Sequence, residues 1–223
     1  MGDAWEVERV AGPAAGFHAR ELVEPVRRTV SVLSVTRPAL VIGSNQPQVH
    51  TDRKALSAAG VDLVRRRNGG GAVLLVPGGS LWVDVVVPRD DDCWRNDVGR
   101  ATYWLGEVWK AALADLGVGA SVHTGALVTT RWSPLVCFAG LGSGEVSVGP
   151  RKLVGMSQRR ARAGARIQCV VHRRWDAEAL LHLLALDHED RARALADLAD
   201  VATGLDRHPA EVVDAFLARL PHS

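Results

Sequence analysis

From residue 28 onward, short apolar runs rich in β-branched residues alternate with glycine-rich or polar breaks, the pattern of strands separated by turns. "RTVSVLSV" and "PALVIG" read as strands bounded by Pro38 and Gly43, after an irregular N-terminal stretch. "VDLVRR" and "AVLLV" read as two more, joined through a glycine cluster, and "LWVDVVV" as the next. "LVCF", "EVSV", "KLVGMSQ" and "RIQCVV" continue the series, the last two joined by the arginine-rich "RRARAGAR".

Helical periodicity enters at three places. "TDRKALSAAG" predicts one short helix, with Thr51 or Asp52 at its N-cap and Gly60 just past its end. A longer helix is predicted from Asp97, because Val98, Thr102, Leu105, Trp109, Ala112 and Leu116 recur every three to four residues before Gly117. From Asp176 the composition shifts to Ala, Leu and alternating charge, predicting three helices, the last with Pro209 in its first turn. Mixed strands with segregated helices imply an α+β fold: a central mixed β-sheet, flanking helices and a helical C-terminal end over about 176–223. The whole of residues 1–223 is expected to form one domain.

Composition narrows the function classes. With 47% apolar residues a substantial core is expected, and the tryptophans Trp82, Trp104 and Trp109 fall in predicted elements where core packing is the ordinary role. A net charge of only +2 argues against a nucleic-acid-binding protein. No apolar run approaches the length of about 18 residues that crosses a membrane, and the acidic N-terminus is unlike a signal peptide. Cys93, Cys137 and Cys169 are odd in number and lack CxxC spacing, so neither a disulfide framework nor a zinc site is indicated, and a reduced, cytoplasmic protein is expected. Among 27 basic residues only Lys54, Lys110 and Lys152 are lysine. A lysine in so arginine-biased a chain marks a place where a compact ammonium serves and a planar guanidinium does not.

The chemistry-bearing stretch is "RRRNGGGAVLLVPGG", residues 65–79. A dinucleotide fingerprint needs its glycines to open a helix, but here they lead into a strand; a Walker loop needs a following lysine, and there is none. Two readings of the residues remain. In one, Gly69 to Gly71 bring backbone N–H groups close to an anion while an arginine neutralises it. In the other, the cluster is a structural hairpin with a bulge.

"RRRNGGGAV", followed about eighty residues later by "RKLVGMSQRR", resembles the lipoate-protein ligase branch of the biotin/lipoate ligase and octanoyltransferase superfamily, whose motifs run approximately RRxSGGGAVxHDxGN and KxxGxAQR. The resemblance spans roughly Pro38 to His172. It implies a central mixed sheet, an acyl chain in a tunnel, and a carboxylate or acyl-adenylate head beside the glycine turn. It assigns head and phosphate binding to Arg66, Asn68, Gly69, Gly70, Gly71, Ala72 and Val73, with Gly78, Gly79, Gly155 and Ser157 completing the substrate positions and Lys152 as the motif lysine. Such an ammonium stabilises the negative charge that develops on an attacked carbonyl or an adenylate phosphate. The sequence departs from the motif where Asn68 replaces Ser, Leu75 and Val76 replace His-Asp, Gly79 replaces Asn, and Gln168–Cys169 replaces Gln-His.

A second segment, "CFAGLGSGEVSVGPRKLVG", is similar to cysteine-dependent octanoyltransferases, with Cys137 and Glu145 at the matching spacing. A Cys137 thiolate would take an acyl group as a thioester and pass it to a lysine amine; a buried packing cysteine is the alternative. Three activities follow from the resemblance. One is a ligase using ATP and Mg2+ with lipoate or octanoate; one is an ATP-independent transferase drawing on acyl carrier protein, with no cofactor; one is a non-catalytic binder of an acylated partner, suggested by the missing His-Asp. The expected partner is a lipoyl carrier domain or acyl carrier protein. The accessory domain that usually assists adenylation is not expected within 223 residues. The arginines of "QRRARAGAR", with Arg151, are candidates to meet an acidic carrier or ATP phosphates, or else form a solvated loop.

Overall fold

The computed structural model describes residues 4–221. The expected α+β class is realised as two sheets with helices packed outside them. The large sheet contains β1 (Glu6–Gly12), β2 (Thr29–Val35), β6 (Ser80–Pro88), β10 (Gly164–His172), β9 (Arg151–Arg160), β8 (Val146–Val148) and β7 (Ser121–Val122), in that spatial order. It is mixed, because β1 runs parallel to β2 while every later neighbour is antiparallel. The small sheet sets β3 (Ala39–Ile42) between β4 (Asp62–Arg65), its parallel neighbour, and β5 (Val73–Leu75), its antiparallel one.

The helices are α1 (Ala14–Ala19), α2 (Arg53–Ala58), α3 (Tyr103–Asp115), α4 (Ala177–His182), α5 (His188–Leu198) and α6 (Pro209–Ala218). On one face of the large sheet, Val83, Val85 and Ile167 pack against Leu105, Trp109 and Leu113 of α3 and Phe216 of α6. Between the two sheets lie Leu33, Val41, Val73, Leu75, Trp82 and Phe138, and the candidate site opens from this layer. Under α4 and α5, Leu40, Ile42, Leu56 and Trp132 form a third apolar group. Among the described residues no helix is long and apolar enough to cross a membrane.

Four expectations are corrected. The irregular start contains β1 and α1; β1 is an edge strand whose charged positions mask its alternation. The long helix starts at Tyr103 rather than Asp97, because the Asp97 side chain accepts a hydrogen bond from the Gly99 amide at 2.8 Å and holds a turn instead. "LVCF" is not a strand: Val136 makes a single bridge to Ala72, and Cys137–Ala139 turn as a short 3-10 helix. The glycine cluster is not a hairpin, since β4 and β5 lie on opposite sides of β3 and the loop between them crosses the end of that strand. Other expectations hold: Asp52 caps α2 by accepting from the Lys54 and Ala55 amides, Pro209 opens α6, and the arginine-rich segment joins β9 to β10.

Candidate functional site

The loop from Arg66 to Ala72 is shaped from within by an arginine. Arg66 is buried, and its guanidinium donates to the Gly69 carbonyl at 2.8 and 3.1 Å and to the Gly71 carbonyl at 2.9 Å. Gly70 sits at φ +97°, and a Cβ there would meet Arg66 Nη2 at 2.7 Å. Gly71 lies so close to Leu135 and Val136 that a Cβ would strike their backbone at 2.5–2.7 Å. The glycines are therefore needed both for conformation and for close approach. With the carbonyls of Gly69 and Gly71 held by Arg66, the amides of Gly69, Gly70 and Gly71 have no hydrogen-bond acceptor among the described residues. Successive unpartnered amides of this kind suit an anion.

These glycines line an open cavity of about 590 Å³ together with Cys137, Gly142, Glu145, Lys152, Met156 and Ser157. The Lys152 side chain is only 3% exposed. Its ammonium is 2.6 Å from Glu145 Oε2 and donates to the carbonyls of Cys137 and Gly140, each at 3.1 Å. The Phe138 ring lies beneath it, 4.9 Å from Nζ to the centroid. Glu145 is positioned in turn by backbone donors, Gly142 N–H to Oε2 at 2.6 Å and Met156 N–H to Oε1 at 2.8 Å. A lysine so deeply buried needs this density of acceptors to stay charged.

A second, narrow cavity of about 40 Å³ runs inward between the sheets, lined by Val41, Val73, Leu75, Trp82, Phe138 and Val170, with His18, Arg66 and Gln168 as polar neighbours. Cys137, Met156 and Ser157 line both cavities, so the apolar slot adjoins the open one at these three residues. Burial first, then the Arg66 and Arg166 guanidinium charges, pull the His18 pKa down to about 3, so its ring is neutral.

Asn68 ties the loop to the sheet. Its amide nitrogen donates to Ser157 Oγ at 2.8 Å and Gln168 Oε1 at 3.2 Å; Gln168 donates onward to Asp84 Oδ1 at 3.4 Å. Asp84 is fully buried and also accepts from Trp82 Nε1 and Arg166 Nε, both at 2.6 Å. Arg166 completes the chain by donating to the Phe17 and Arg20 carbonyls at the end of α1, at 3.1 and 2.7 Å.

The structure thus brings together Arg66, Asn68, Gly69, Gly70, Gly71, Cys137, Glu145, Lys152 and Ser157, with Ala72 and Val73 running on from the loop. Gly155 lies beneath Phe138, where a Cβ would come 3.0 Å from the ring, and lines the slot. Gly78 and Gly79 do not join them. They form the β5–β6 turn and line a separate cleft with Ser80, His172 and Trp175. Nor do the arginines converge: Arg166 is buried on Asp84, Arg159 pairs with Glu21, Arg160 stacks over Trp94, and Arg151 faces Asp200. His18, Trp82, Phe138 and Met156 escape motif reading, although "CF" and the Met of "KLVGMSQ" stand inside quoted motifs.

Cys137 is half-buried and Cys93 and Cys169 are buried; burial pushes the latter two thiols up to about 11 and about 12, which leaves Cys137 as the cysteine at the site. Among the described residues no three His, Cys, Asp or Glu side chains converge as metal ligands.

Residues 18–219 match the family model for the lipoyl protein ligase A/B catalytic domain. No curated protein sequence matches. Solved structures share the fold. The bi-partite lipoate protein ligase of Thermoplasma acidophilum aligns with TM-score 0.72 at 18% identity, over 96% of this chain and 81% of that one. Lipoate-protein ligase A bound with ATP aligns with TM-score 0.68 at 17% identity, over 98% and 84%. LipL1 of P. falciparum in complex with lipoate aligns with TM-score 0.56 at 12% identity, over 96% and 71%.

Proposed function

Because the chain belongs to the lipoyl protein ligase A/B catalytic domain family, we propose that it attaches a lipoyl or octanoyl group to a lysine of a carrier lipoyl domain through an acyl-adenylate. The observation that carries this reading is the meeting of three features at one place: unpartnered glycine amides, a buried ammonium on Lys152, and an apolar slot behind them. The amides and Lys152 suit the phosphate and the carbonyl of a mixed anhydride, and the slot suits its hydrocarbon chain. At about 40 Å³ the slot is narrow, so chain entry requires a lining side chain to swing aside; Met156, unbranched and shared by both cavities, is suited to that.

In the transfer step the carrier amine attacks the acyl carbon. The bond from that carbon to the phosphate oxygen breaks, AMP leaves with the electron pair, and the amine's proton passes to solvent. Lys152 stabilises the charge that builds on the carbonyl and phosphate oxygens, which needs no redox partner. The relatives give this reading its substrates: one is a lipoate protein ligase studied with its E2 lipoyl domain, one binds ATP and one binds lipoate. The first is bi-partite, which is compatible with a second polypeptide working beside a catalytic domain of this kind.

One observation favours a second reading. Cys137 lines both the slot and the open cavity, where a thiol would meet an acyl carbonyl, as direct thioester transfer from an acylated carrier requires. Intact-mass analysis separates the two. The protein, carrier domain, and lipoate, octanoate or octanoyl-carrier are mixed with and without ATP and Mg2+. Carrier acylation from the free acid only with ATP, retained in Cys137→Ser, supports the ligase. An acyl adduct on the protein from octanoyl-carrier without ATP, lost as a thioester in Cys137→Ser, supports the transferase.

A further inference from the structure

The Lys152 ammonium donates to the Cys137 and Gly140 carbonyls, each at 3.1 Å, and its charge is paired with Glu145 Oε2 at 2.6 Å. An incoming phosphate therefore competes with a carboxylate already seated against the ammonium. The three partners are not equal. The two carbonyls belong to the backbone turn that also positions Cys137. Glu145 is the one partner carrying charge, and it lines the open cavity.

We infer that Glu145 is a positioning residue that holds Lys152 closed in the free protein, and that an anionic adenylate displaces it from the ammonium. The inference rests on the acyl-adenylate reading. Both halves of the exchange have a place prepared. Released from Lys152, the Glu145 carboxylate keeps the Met156 amide at 2.8 Å on one oxygen and the Gly142 amide at 2.6 Å on the other, so its charge stays compensated by charge-assisted hydrogen bonds. Lys152 keeps both carbonyls and exchanges one anion for another. Phe138 remains under the ammonium in either state. The free amides of Gly69 to Gly71 line the same cavity and offer the incoming anion its other donors. A neutral acyl ligand brings no anion and leaves the pair closed.

With only Lys54, Lys110 and Lys152 in the chain, lysine Nζ resonances give three signals, and Lys152 is the buried one. The probes are octanoyl-sulfamoyl-adenosine, a stable anionic mimic of the adenylate, and neutral octanamide, added to wild type and to Glu145→Gln. In wild type the Lys152 Nζ signal moves with the adenylate mimic and stays with octanamide. In Glu145→Gln the mimic binds more tightly by about fivefold or more, within the range of coupled sites, and octanamide affinity is unchanged. A merely structural role for Glu145 predicts weaker binding of both. If the mimic binds wild type but leaves the Lys152 signal in place, or binds Glu145→Gln no more tightly, the inference is overturned while the adenylate reading stands. If the mimic binds neither protein, the adenylate reading fails and takes the inference with it. Should Glu145→Gln not fold, the wild-type Lys152 signal decides alone.

Discussion

At the scale of single residues, the proposed transfer rests on Lys152. Lys152→Ala is expected to lower carrier acylation by about 10²–10³-fold, the usual effect of removing one preorganised donor to a developing oxyanion. Lys152→Arg is expected not to restore it, because a planar fork does not fit acceptors arranged for a compact ammonium; single-turnover mass analysis checks both. Gly70→Ala tests the loop. At φ +97° with Arg66 at 2.7 Å from the new Cβ, the change should cost about 1–3 kcal/mol in denaturant unfolding and reduce acylation as well. Unchanged stability would show that the loop relaxes without strain. Lys152 is legible in the sequence because lysine is scarce and its motif departs from KxxGxAQR only at Ser157. Glu145 is legible as a site residue but not as the ammonium's partner, since that pairing depends on the bulged register between β8 and β9. Gly78 and Gly79 resemble the loop glycines in composition, yet the β5–β6 turn carries them to another cleft.

At the scale of elements, the site is held by a polar chain running from Asn68 through Gln168 to the buried Asp84–Arg166 pair and the end of α1. Asp84→Asn leaves Arg166 buried without an anion, which should cost about 3–5 kcal/mol and lower Tm by roughly 6–20 °C, checked by thermal unfolding. None of these partners is neighbouring in sequence, and α1 lies in a stretch whose periodicity is too short to read, so the chain emerges only from the sheet order. At the end of β10, His172 packs against Phe138 and Trp175, with centroids 4.8 and 6.0 Å away. Burial first, and the Lys152 charge second, lower its pKa from 6.5 to about 4. The unfolded chain binds this proton near pH 6.5 and the folded one only near 4, so stability falls as pH drops through that window and is undiminished above it. The loss amounts to about 3 kcal/mol at its fullest. His18, held neutral down to about 3, contributes with the same sign, so His172→Phe should reduce the pH dependence of stability between 4 and 6.5 without abolishing it; an unchanged slope would show that His172 has no part in it.

At the scale of the molecule, two sheets meet so that a glycine loop from the small one faces a lysine strand of the large one, with the narrow apolar slot in the layer between. The α+β class and the strands that carry both motifs are legible from patterning, because β-branched runs and glycine breaks mark them. That β3 separates β4 from β5 is not, since parallel and antiparallel neighbours leave the same local pattern. The missing His-Asp is answered by position: Leu75 is buried and faces the slot while Val76 lies in the turn beyond it, so the wall there is apolar. The most direct test of the account omits activation altogether. Synthetic octanoyl- or lipoyl-adenylate is mixed with the protein and a carrier lipoyl domain under single-turnover conditions, and the intact carrier is weighed. The account predicts one acyl group on the carrier, formed far faster than without protein and dependent on Lys152; a carrier acylated no faster than in the protein's absence would contradict it.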